Sequence, residues 1–230
     1  MNSSASSHGY TRADVGDLLR RVRSAYQSIA PDDVFFAVAA IDDTEDLMAP
    51  ENAIIARAVP ARRQSFAAGR RCARQALAMA GGPRVAIPQG RHLEPIWPPG
   101  FSGSLTHDGR LAAAAVHRWQ PSAPRIGIDL IDTPDLSRFE AVAASILSPE
   151  DRSALGGAWD PLQLARIFSA KEAAIKVLSG DVGRFMEFSE IAVQQIPDGY
   201  LLHHPAVAAS LRSKCRIVEN VFVTVAVRSP

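Results

Sequence analysis

Apolar residues recur along this chain with two different periods, which separate predicted helices from predicted strands. A spacing of three or four residues predicts an amphipathic helix over residues 15–29 and two longer helices over residues 62–80 and 162–178. Shorter helices are predicted over residues 47–59 and 139–146. One long helix therefore falls in each half of the chain.

Short apolar runs that end at turn residues predict the strands. These strands cover residues 34–40, 111–117, 126–131, 191–195, 200–203, 216–218 and 221–227. Strands mixed with helices, without a regular βαβ rhythm, favour an α+β fold with antiparallel sheets. The pattern also permits a two-fold pseudo-repeat, with one half over residues 1–120 and the other over residues 121–230.

A stretch rich in proline and glycine interrupts this pattern at residues 88–103. No regular element tolerates that composition, so it predicts a long loop, and long loops inside compact domains often carry function. The polar residues 103–110 predict a turn that enters the strand beginning at Leu111.

Composition and charge exclude several classes of protein. The chain has 230 residues, with 25 Lys and Arg against 24 Asp and Glu, so no overall charge marks a binder of nucleic acid or of an acidic membrane surface. Its two cysteines, Cys72 and Cys215, provide neither a disulfide framework nor zinc-ligand spacing. No apolar run approaches the roughly 20 residues of a membrane helix, and residues 1–10 lack the apolar core of a secretory signal. We therefore expect a cytoplasmic protein.

Several common site motifs are absent from the sequence. It contains no phosphate-cradling P-loop, no dinucleotide-binding G-x-G-x-x-G, no zinc-binding H-E-x-x-H and no G-x-S-x-G nucleophile elbow. Four other segments carry candidate chemistry.

The first segment lies on the predicted helix at residues 168–176, where Glu172 and Lys176 are four residues apart and share a face. Such a pair is usually an exposed ion pair worth at most about 0.5 kcal/mol. However, arginine supplies nearly all other positive charges here, and a lysine ammonium suits a point contact to a phosphoryl oxygen. The pair is therefore also a candidate phosphate contact.

The second segment is the apolar strand at residues 126–132, which contains Asp129. Because an unpaired buried charge is expensive, this carboxylate either reaches a solvated sheet edge or meets a cation. Magnesium prefers oxygen ligands, typically one or two carboxylates with phosphates and waters, and Asp129 with Glu172 supplies such a pair. The alternative is an ordinary aspartate near the end of a strand.

The remaining segments are the polar turn and a row of arginines. His107 is either a turn histidine or, with Ser104 and Asp129, part of a catalytic triad, but no elbow frames Ser104, and a phosphate-binding turn fits the surroundings better. The arginines form either a solvated helix face or a fork for a terminal phosphate. They are Arg62, Arg63, Arg70, Arg71 and Arg74.

Taken together and in this order, the segments resemble the 4′-phosphopantetheinyl transferases of the surfactin and enterobactin type, especially the siderophore-associated bacterial subgroup. The matching residues are 62–63, 69–74, 94–98, 103–107, 127–129 and 168–176. The resemblance implies two similar α+β halves related by a pseudo-two-fold, with coenzyme A and Mg²⁺ between them. It also implies a monomer that transfers 4′-phosphopantetheine to a serine of an apo acyl or peptidyl carrier protein.

The resemblance further assigns the residues that hold coenzyme A. Arg62 and Arg70 bind its 3′-phosphate, and Arg91 or His92 replaces the basic residue usual in the neighbouring loop. Ser104 and His107 contact the phosphates.

The same resemblance assigns the chemistry, with Glu172, Lys176 and His107 as catalytic residues. Asp129 and Glu172 ligate Mg²⁺. Lys171 and Lys176 neutralise charge near the pyrophosphate and the leaving group. Glu172, or a water ordered by the metal, takes the proton of the carrier serine, whose oxygen attacks the β-phosphorus. Adenosine 3′,5′-bisphosphate then leaves.

One position departs from the family pattern, which usually places a second metal-facing carboxylate two residues after Asp129. This chain has Ile131 there, and strand alternation puts Asp132 on the opposite face. We therefore expect Mg²⁺ to retain an additional water or to bind more weakly. Two other functions stay open: a pseudoenzyme that sequesters coenzyme A or a carrier protein, and an α/β hydrolase that uses Ser104 and His107.

Overall fold

The computed structural model describes residues 12–156 and 159–229 of the chain. The N-terminal segment that lacks a predicted signal, residues 1–10, lies outside this part. The helices are α1 (Arg12–Gln27), α2 (Ala49–Ile54), α3 (Pro60–Met79), α4 (Arg138–Ala141), α5 (Ala143–Ile146), α6 (Pro149–Ala154) and α7 (Pro161–Val182). The strands are β1 (Phe35–Ala40), β2 (Phe101–Asp108), β3 (Leu111–Arg118), β4 (Arg125–Asp132), β5 (Ala192–Ile196), β6 (Gly199–His204), β7 (Val207–Val218) and β8 (Val221–Arg228). A 3₁₀-helix spans Phe188–Glu190.

The strands form two antiparallel sheets, which confirms the α+β prediction. The first sheet has the order β1-β3-β2 and the second has the order β4-β8-β7-β6-β5. After helix α1, each half runs from a first strand through a long helix to a final hairpin, and the last strand of that hairpin pairs with the first strand. The same connection thus occurs twice, as a pseudo-two-fold fold requires. The separation of residues 1–120 from residues 121–230 as domains stays a prediction.

Small residues let both long helices pack closely on their sheets. Helix α3 buries Ala68, Cys72 and Ala76 against β1 and β3. Helix α7 crosses β4 at Gly127, where an added Cβ would stand 1.9 Å from the carbonyl oxygen of Ala173. This close approach brings the polar side of α7 to the neighbouring residues of β4.

Helix α1 connects the two halves by packing between them. Its buried residues Leu18, Val22 and Tyr26 share one hydrophobic cluster with Ile128 of β4 and Val223 of β8. The Tyr26 hydroxyl also donates a 2.6 Å hydrogen bond to the backbone oxygen of Asp129. The two halves therefore share part of their core.

A set of three hydrogen bonds joins the edge strand β2 of the first sheet to the edge strand β4 of the second. In each bond, a side-chain oxygen of β2 accepts from a backbone N–H of β4. The residues involved are every second residue along both strands. The pairs are Ser104 Oγ with Ile128 (3.1 Å), Thr106 Oγ1 with Leu130 (3.3 Å) and Asp108 Oδ2 with Asp132 (2.9 Å). This set, the β2–β4 side-chain ladder, fixes the register of the two halves because side chains alternate faces along a strand.

The structure differs from the predicted elements in several places. Residues 101–108 form strand β2 rather than a loop and a turn, because their polar side chains satisfy the edge of β4. The predicted helix at residues 139–146 is broken into α4 and α5, and α2 is shorter than predicted. Helix α6 was not predicted, and β7 extends well before residue 216. Among the described helices, none is long and apolar enough to cross a membrane.

Candidate active site

Most of the predicted functional residues converge on a cleft at the junction of the halves. The cleft has two chambers, of about 460 Å³ and about 540 Å³. We call the first the arginine chamber, because Arg62 and Arg70 line it, and the second the carboxylate chamber, because Asp129 and Glu172 line it. Residues of β2 together with Lys176 of α7 line both chambers.

Arg70 is the most unusual group of the arginine chamber. Only 5% of its surface is exposed, yet its Nε and Nη2 atoms donate no hydrogen bond within the described chain. Its guanidinium carbon lies 4.1 Å from the centre of the Phe66 ring, and burial lowers the pKa of Arg70 to about 10. A buried cation without hydrogen-bond acceptors calls for an anion, and the planar guanidinium fits a phosphate.

The other arginines of α3 are already occupied by acidic residues. Arg63 pairs with Glu45, Arg71 with Asp42, and Arg74 with the fully buried Glu51 and with Asp46. Of the five arginines singled out in the sequence, three therefore form ion pairs with acidic side chains, and Arg62 and Arg70 line the chamber.

The loop at residues 88–99 supplies a further wall of the arginine chamber. His92 lines it, and its ring packs edge-on against Phe185 with the ring centres 5.8 Å apart. Arg91 is exposed and does not line the chamber. Of the two alternatives for the basic residue of this loop, His92 is the one that lines the chamber.

His107 lies where the two chambers meet. Arg62 Nη1 donates to its Nε2 at 3.1 Å, which requires a ring that is unprotonated at that nitrogen. The pKa of His107 is lowered, first by desolvation within the cleft and then by the cations Arg62 and Lys176. A neutral imidazole is therefore favoured here.

Ser104 does not pair with His107 as a hydrolase would require. The two residues are three positions apart on β2 and so point to opposite faces of the strand. Ser104 is buried, and its Oγ accepts the N–H of Ile128 in the β2–β4 side-chain ladder. The geometry thus contradicts the hydrolase hypothesis, although Ser104 does line the arginine chamber.

Asp129 and Glu172 both line the carboxylate chamber. Asp129 is 5% exposed, and its Oδ1 accepts from Lys176 Nζ at 3.0 Å. The pKa of Glu172 is raised by burial and by the charge of Asp129, while Lys176 opposes the shift. Two carboxylates in one partly desolvated site repel each other, and a cation between them would relieve that repulsion.

These donors fit a magnesium ion that completes its coordination with phosphate and water. Among the residues described, no group of three or more His, Cys, Asp or Glu side chains could hold a metal ion by itself. Ile131, two residues after Asp129 on the same face of β4, is buried and lines the same chamber. Asp132 cannot serve as the second carboxylate, because Arg110 Nε and Nη2 donate to its Oδ2 and Oδ1 at 2.9 Å and 3.0 Å.

Lys171 does not enter either chamber, which corrects its predicted contact with coenzyme A. The residue is fully buried, and its Nζ donates to Asp151 Oδ2 at 2.5 Å and to two backbone carbonyls, of Ile146 and Phe188. Adjacent residues of a helix point about 100° apart, so Lys171 turns away when Glu172 faces the cleft. Its seven-residue spacing to the buried Leu178 was a signal of this orientation.

Sequence reasoning missed the hydroxyl groups that surround Asp129. Thr106 Oγ1 donates to its Oδ1 at 3.2 Å, and Ser169 Oγ donates to its Oδ2 at 2.8 Å. Thr224 Oγ1 lies 2.8 Å from Ser169 Oγ. Both Thr106 and Ser169 occurred in motifs used for the resemblance, but only their three-dimensional contacts reveal their common target.

Comparison with known proteins gives the same family that the motifs suggested. Residues 50–117 match the 4′-phosphopantetheinyl transferase N-terminal domain, and residues 125–220 match the 4′-phosphopantetheinyl transferase superfamily. The 4′-phosphopantetheinyl transferase Npt of Nocardia iowensis is 41% identical over 160 residues, which cover 67% of this chain and 70% of Npt.

Two further relatives extend this similarity. The transferase Svp of Streptomyces mobaraensis is 37% identical, with 68% of this chain and 65% of Svp covered. Enterobactin synthase component D of Salmonella typhimurium is 31% identical, with 66% of this chain and 64% of that protein covered. The matched regions thus span about two thirds of these relatives. The chain belongs to the 4′-phosphopantetheinyl transferase superfamily, and its relatives include the siderophore-associated enterobactin type.

Proposed function

We propose that this chain transfers 4′-phosphopantetheine from coenzyme A to a serine of an apo acyl or peptidyl carrier protein. The proposal includes Mg²⁺ dependence and release of adenosine 3′,5′-bisphosphate, which corresponds to a holo-acyl-carrier-protein synthase reaction. The observation that carries it is the buried Arg70, whose Nε and Nη2 lack hydrogen-bond acceptors beside a chamber that leads to paired carboxylates. A ligand with separate phosphate groups fits such an arrangement.

The arginine chamber would bind the nucleotide end of coenzyme A. Arg70 and Arg62 would hold the 3′-phosphate by charge-assisted hydrogen bonds, and His92 would close the same wall. His107 and Lys176 stand between the two chambers and would contact the pyrophosphate. The nucleotide would thereby be fixed with its pyrophosphate toward the carboxylates.

The carboxylate chamber would carry out the transfer. Asp129 and Glu172 would hold Mg²⁺, which when bound supplies positive charge to a pyrophosphate and its leaving group. The Glu172 carboxylate, which lines this chamber, would accept the proton of the carrier serine. The serine oxygen would attack the β-phosphorus, and the bond from that phosphorus to the bridging oxygen would break. Lys176 would neutralise the departing bisphosphate.

Mass spectrometry tests the proposed transfer directly. The protein is incubated with coenzyme A, Mg²⁺ and a panel of apo-carriers, and the intact mass of each carrier is measured. We expect one phosphopantetheine increment on at least one carrier and formation of adenosine 3′,5′-bisphosphate. Glu172→Gln should abolish the increment. Removal of Mg²⁺ by chelation should do the same.

A pseudoenzyme that only binds coenzyme A is the second candidate function. Ile131 favours it, because this buried apolar side chain stands where the family pattern places a second metal-facing carboxylate. This candidate predicts coenzyme A binding with no mass increment on any carrier at any Mg²⁺ concentration. The same assay therefore separates the two functions.

A further inference from the structure

The Asp129 carboxylate is fixed by buried hydroxyl groups on both of its oxygens. Thr106 Oγ1 lies 3.2 Å from Oδ1, and Ser169 Oγ lies 2.8 Å from Oδ2. Thr106 is 6% exposed, and Ser169 and Thr224 are fully buried. Neither hydroxyl is accounted for by the proposed contacts with coenzyme A or with the metal.

The direction of these hydrogen bonds follows from the number of protons available. An ionised carboxylate only accepts, and each hydroxyl has a single proton. The proton of Ser169 therefore points to Asp129, and the Thr224 hydroxyl, 2.8 Å away, donates to the Ser169 oxygen. In the same way Thr106 gives its proton to Asp129 while its oxygen accepts the N–H of Leu130.

Each hydroxyl is also anchored to a different part of the scaffold. Thr106 belongs to the β2–β4 side-chain ladder, and Ser169 joins α7 to Thr224 of β8. The terminal torsion of an aspartate is broad and nearly two-fold, so its carboxylate can rotate when nothing holds it. Opposite donors on Oδ1 and Oδ2 select one orientation.

We propose that Ser169 and Thr106 are positioning residues that orient the Asp129 carboxylate for a divalent cation. This inference rests on the proposed function, because it concerns the same metal site. Loss of a hydrogen-bond partner behind a metal ligand typically costs about 10- to 100-fold in metal affinity. We therefore expect a loss of about 10-fold or more for Ser169→Ala.

Binding of Mn²⁺, followed by electron paramagnetic resonance with and without coenzyme A, tests the inference without an activity readout. Ser169→Ala and Thr106→Val should weaken Mn²⁺ binding, whereas Thr106→Ser, which keeps the hydroxyl, should restore it. Ser213→Ala is the matched control. Ser213 is equally buried, but its Oγ has no hydrogen-bond partner within the described chain, so Mn²⁺ affinity should be unchanged.

A merely structural role predicts a different result. In that case Ser169→Ala would lower the unfolding temperature and leave Mn²⁺ affinity unchanged, which would overturn the inference alone. Absence of Mn²⁺ binding by the unmodified protein would overturn the proposed metal site as well. If Ser169→Ala does not fold, Thr106→Val removes the other donor to Asp129, and unchanged Mn²⁺ affinity in that variant would also overturn the inference.

Discussion

Lys176 and Asp129 form an ion pair at the point where the two chambers meet, with Nζ 3.0 Å from Oδ1. The same ammonium donates to the backbone oxygen of Ile128 at 2.8 Å. One oxygen of Asp129, the proposed metal ligand, therefore already accepts a hydrogen bond from a positively charged group. Because like charges repel, Lys176 and a divalent cation compete for this carboxylate until a phosphate attracts the lysine.

This competition predicts opposite effects of Lys176→Met on two measurements. Without coenzyme A, Mg²⁺ should bind about fivefold more tightly, which corresponds to about 1 kcal/mol for a partly exposed ion pair. Transfer activity should fall, because the pyrophosphate loses its lysine. Calorimetry and the carrier assay measure the two effects. Lys214→Met, which removes a lysine paired with Asp198, should change neither, and unaltered Mg²⁺ affinity in Lys176→Met would contradict the competition.

Arg70→Met should weaken coenzyme A binding and stabilise the free protein. Charge-assisted hydrogen bonds contribute about 1.5–3 kcal/mol, so the dissociation constant should rise roughly 10- to 100-fold. The unfolding temperature should increase, because a buried cation without hydrogen-bond acceptors is replaced by an apolar side chain.

The ligand supplies a matched control for Arg70. With 3′-dephospho-coenzyme A, the unmodified protein and Arg70→Met should bind equally weakly, because the proposed phosphate partner is missing. Arg71→Met removes an arginine that pairs with Asp42, and it should leave coenzyme A affinity unchanged. A loss with Arg70→Met that persists in 3′-dephospho-coenzyme A would place Arg70 against another part of the ligand.

Ile131→Glu should lower the Mg²⁺ concentration needed for half-maximal activity. The side chain lies on the Asp129 face of β4 and lines the carboxylate chamber, so a carboxylate there adds an oxygen ligand. Ile131→Gln has the same size without the charge and should not lower the requirement. A requirement that is unchanged or higher in Ile131→Glu would refute this prediction.

Lys171→Met should reduce stability rather than coenzyme A affinity. Removal of one partner from a buried ion pair typically costs about 3–5 kcal/mol, because the other charge, here Asp151, stays buried without its partner. Urea unfolding measures the loss. The affinity of the folded fraction for coenzyme A should match that of the unmodified protein, and a large selective loss of that affinity would return Lys171 to the binding site.

Stability should decrease as the pH falls below about 6.5, partly because of His117. This ring is buried, its Nε2 has no partner within the described residues, and burial lowers its pKa below the ordinary value of 6.5. The unfolded chain then binds a proton that the folded chain excludes, so stability is retained above that value and lost below it. Thermal unfolding between pH 7.5 and about 5.5 should show a smaller decrease for His117→Gln than for the unmodified protein.

The sequence was sufficient to predict those parts of the site that follow from regular periodicity. Glu172 and Lys176 are four residues apart on a helix, so their common face was predictable, and the apolar neighbours of Asp129 indicated a buried strand. Which arginines of α3 form ion pairs and which line the arginine chamber was not predictable. Arg63, Arg71 and other occupied arginines differ from Arg70 only through acidic partners that lie distant in the chain.

Strand β2 shows why the predicted fold was incomplete. Its alternating Ser104, Thr106 and Asp108 are typical of a polar turn when the strand is considered alone. Their partners are backbone N–H groups of β4, and a side-chain pattern cannot indicate which distant backbone it will satisfy. Tertiary contacts therefore override the local preference.

The β2–β4 side-chain ladder has a consequence for any C-terminal fragment of this protein. Without β2, the amides of Ile128, Leu130 and Asp132 would line an open sheet edge beside an uncovered apolar surface. Such an edge is a template for strand addition from another molecule. By covering this edge with β2, the N-terminal half thus protects the C-terminal half from self-association.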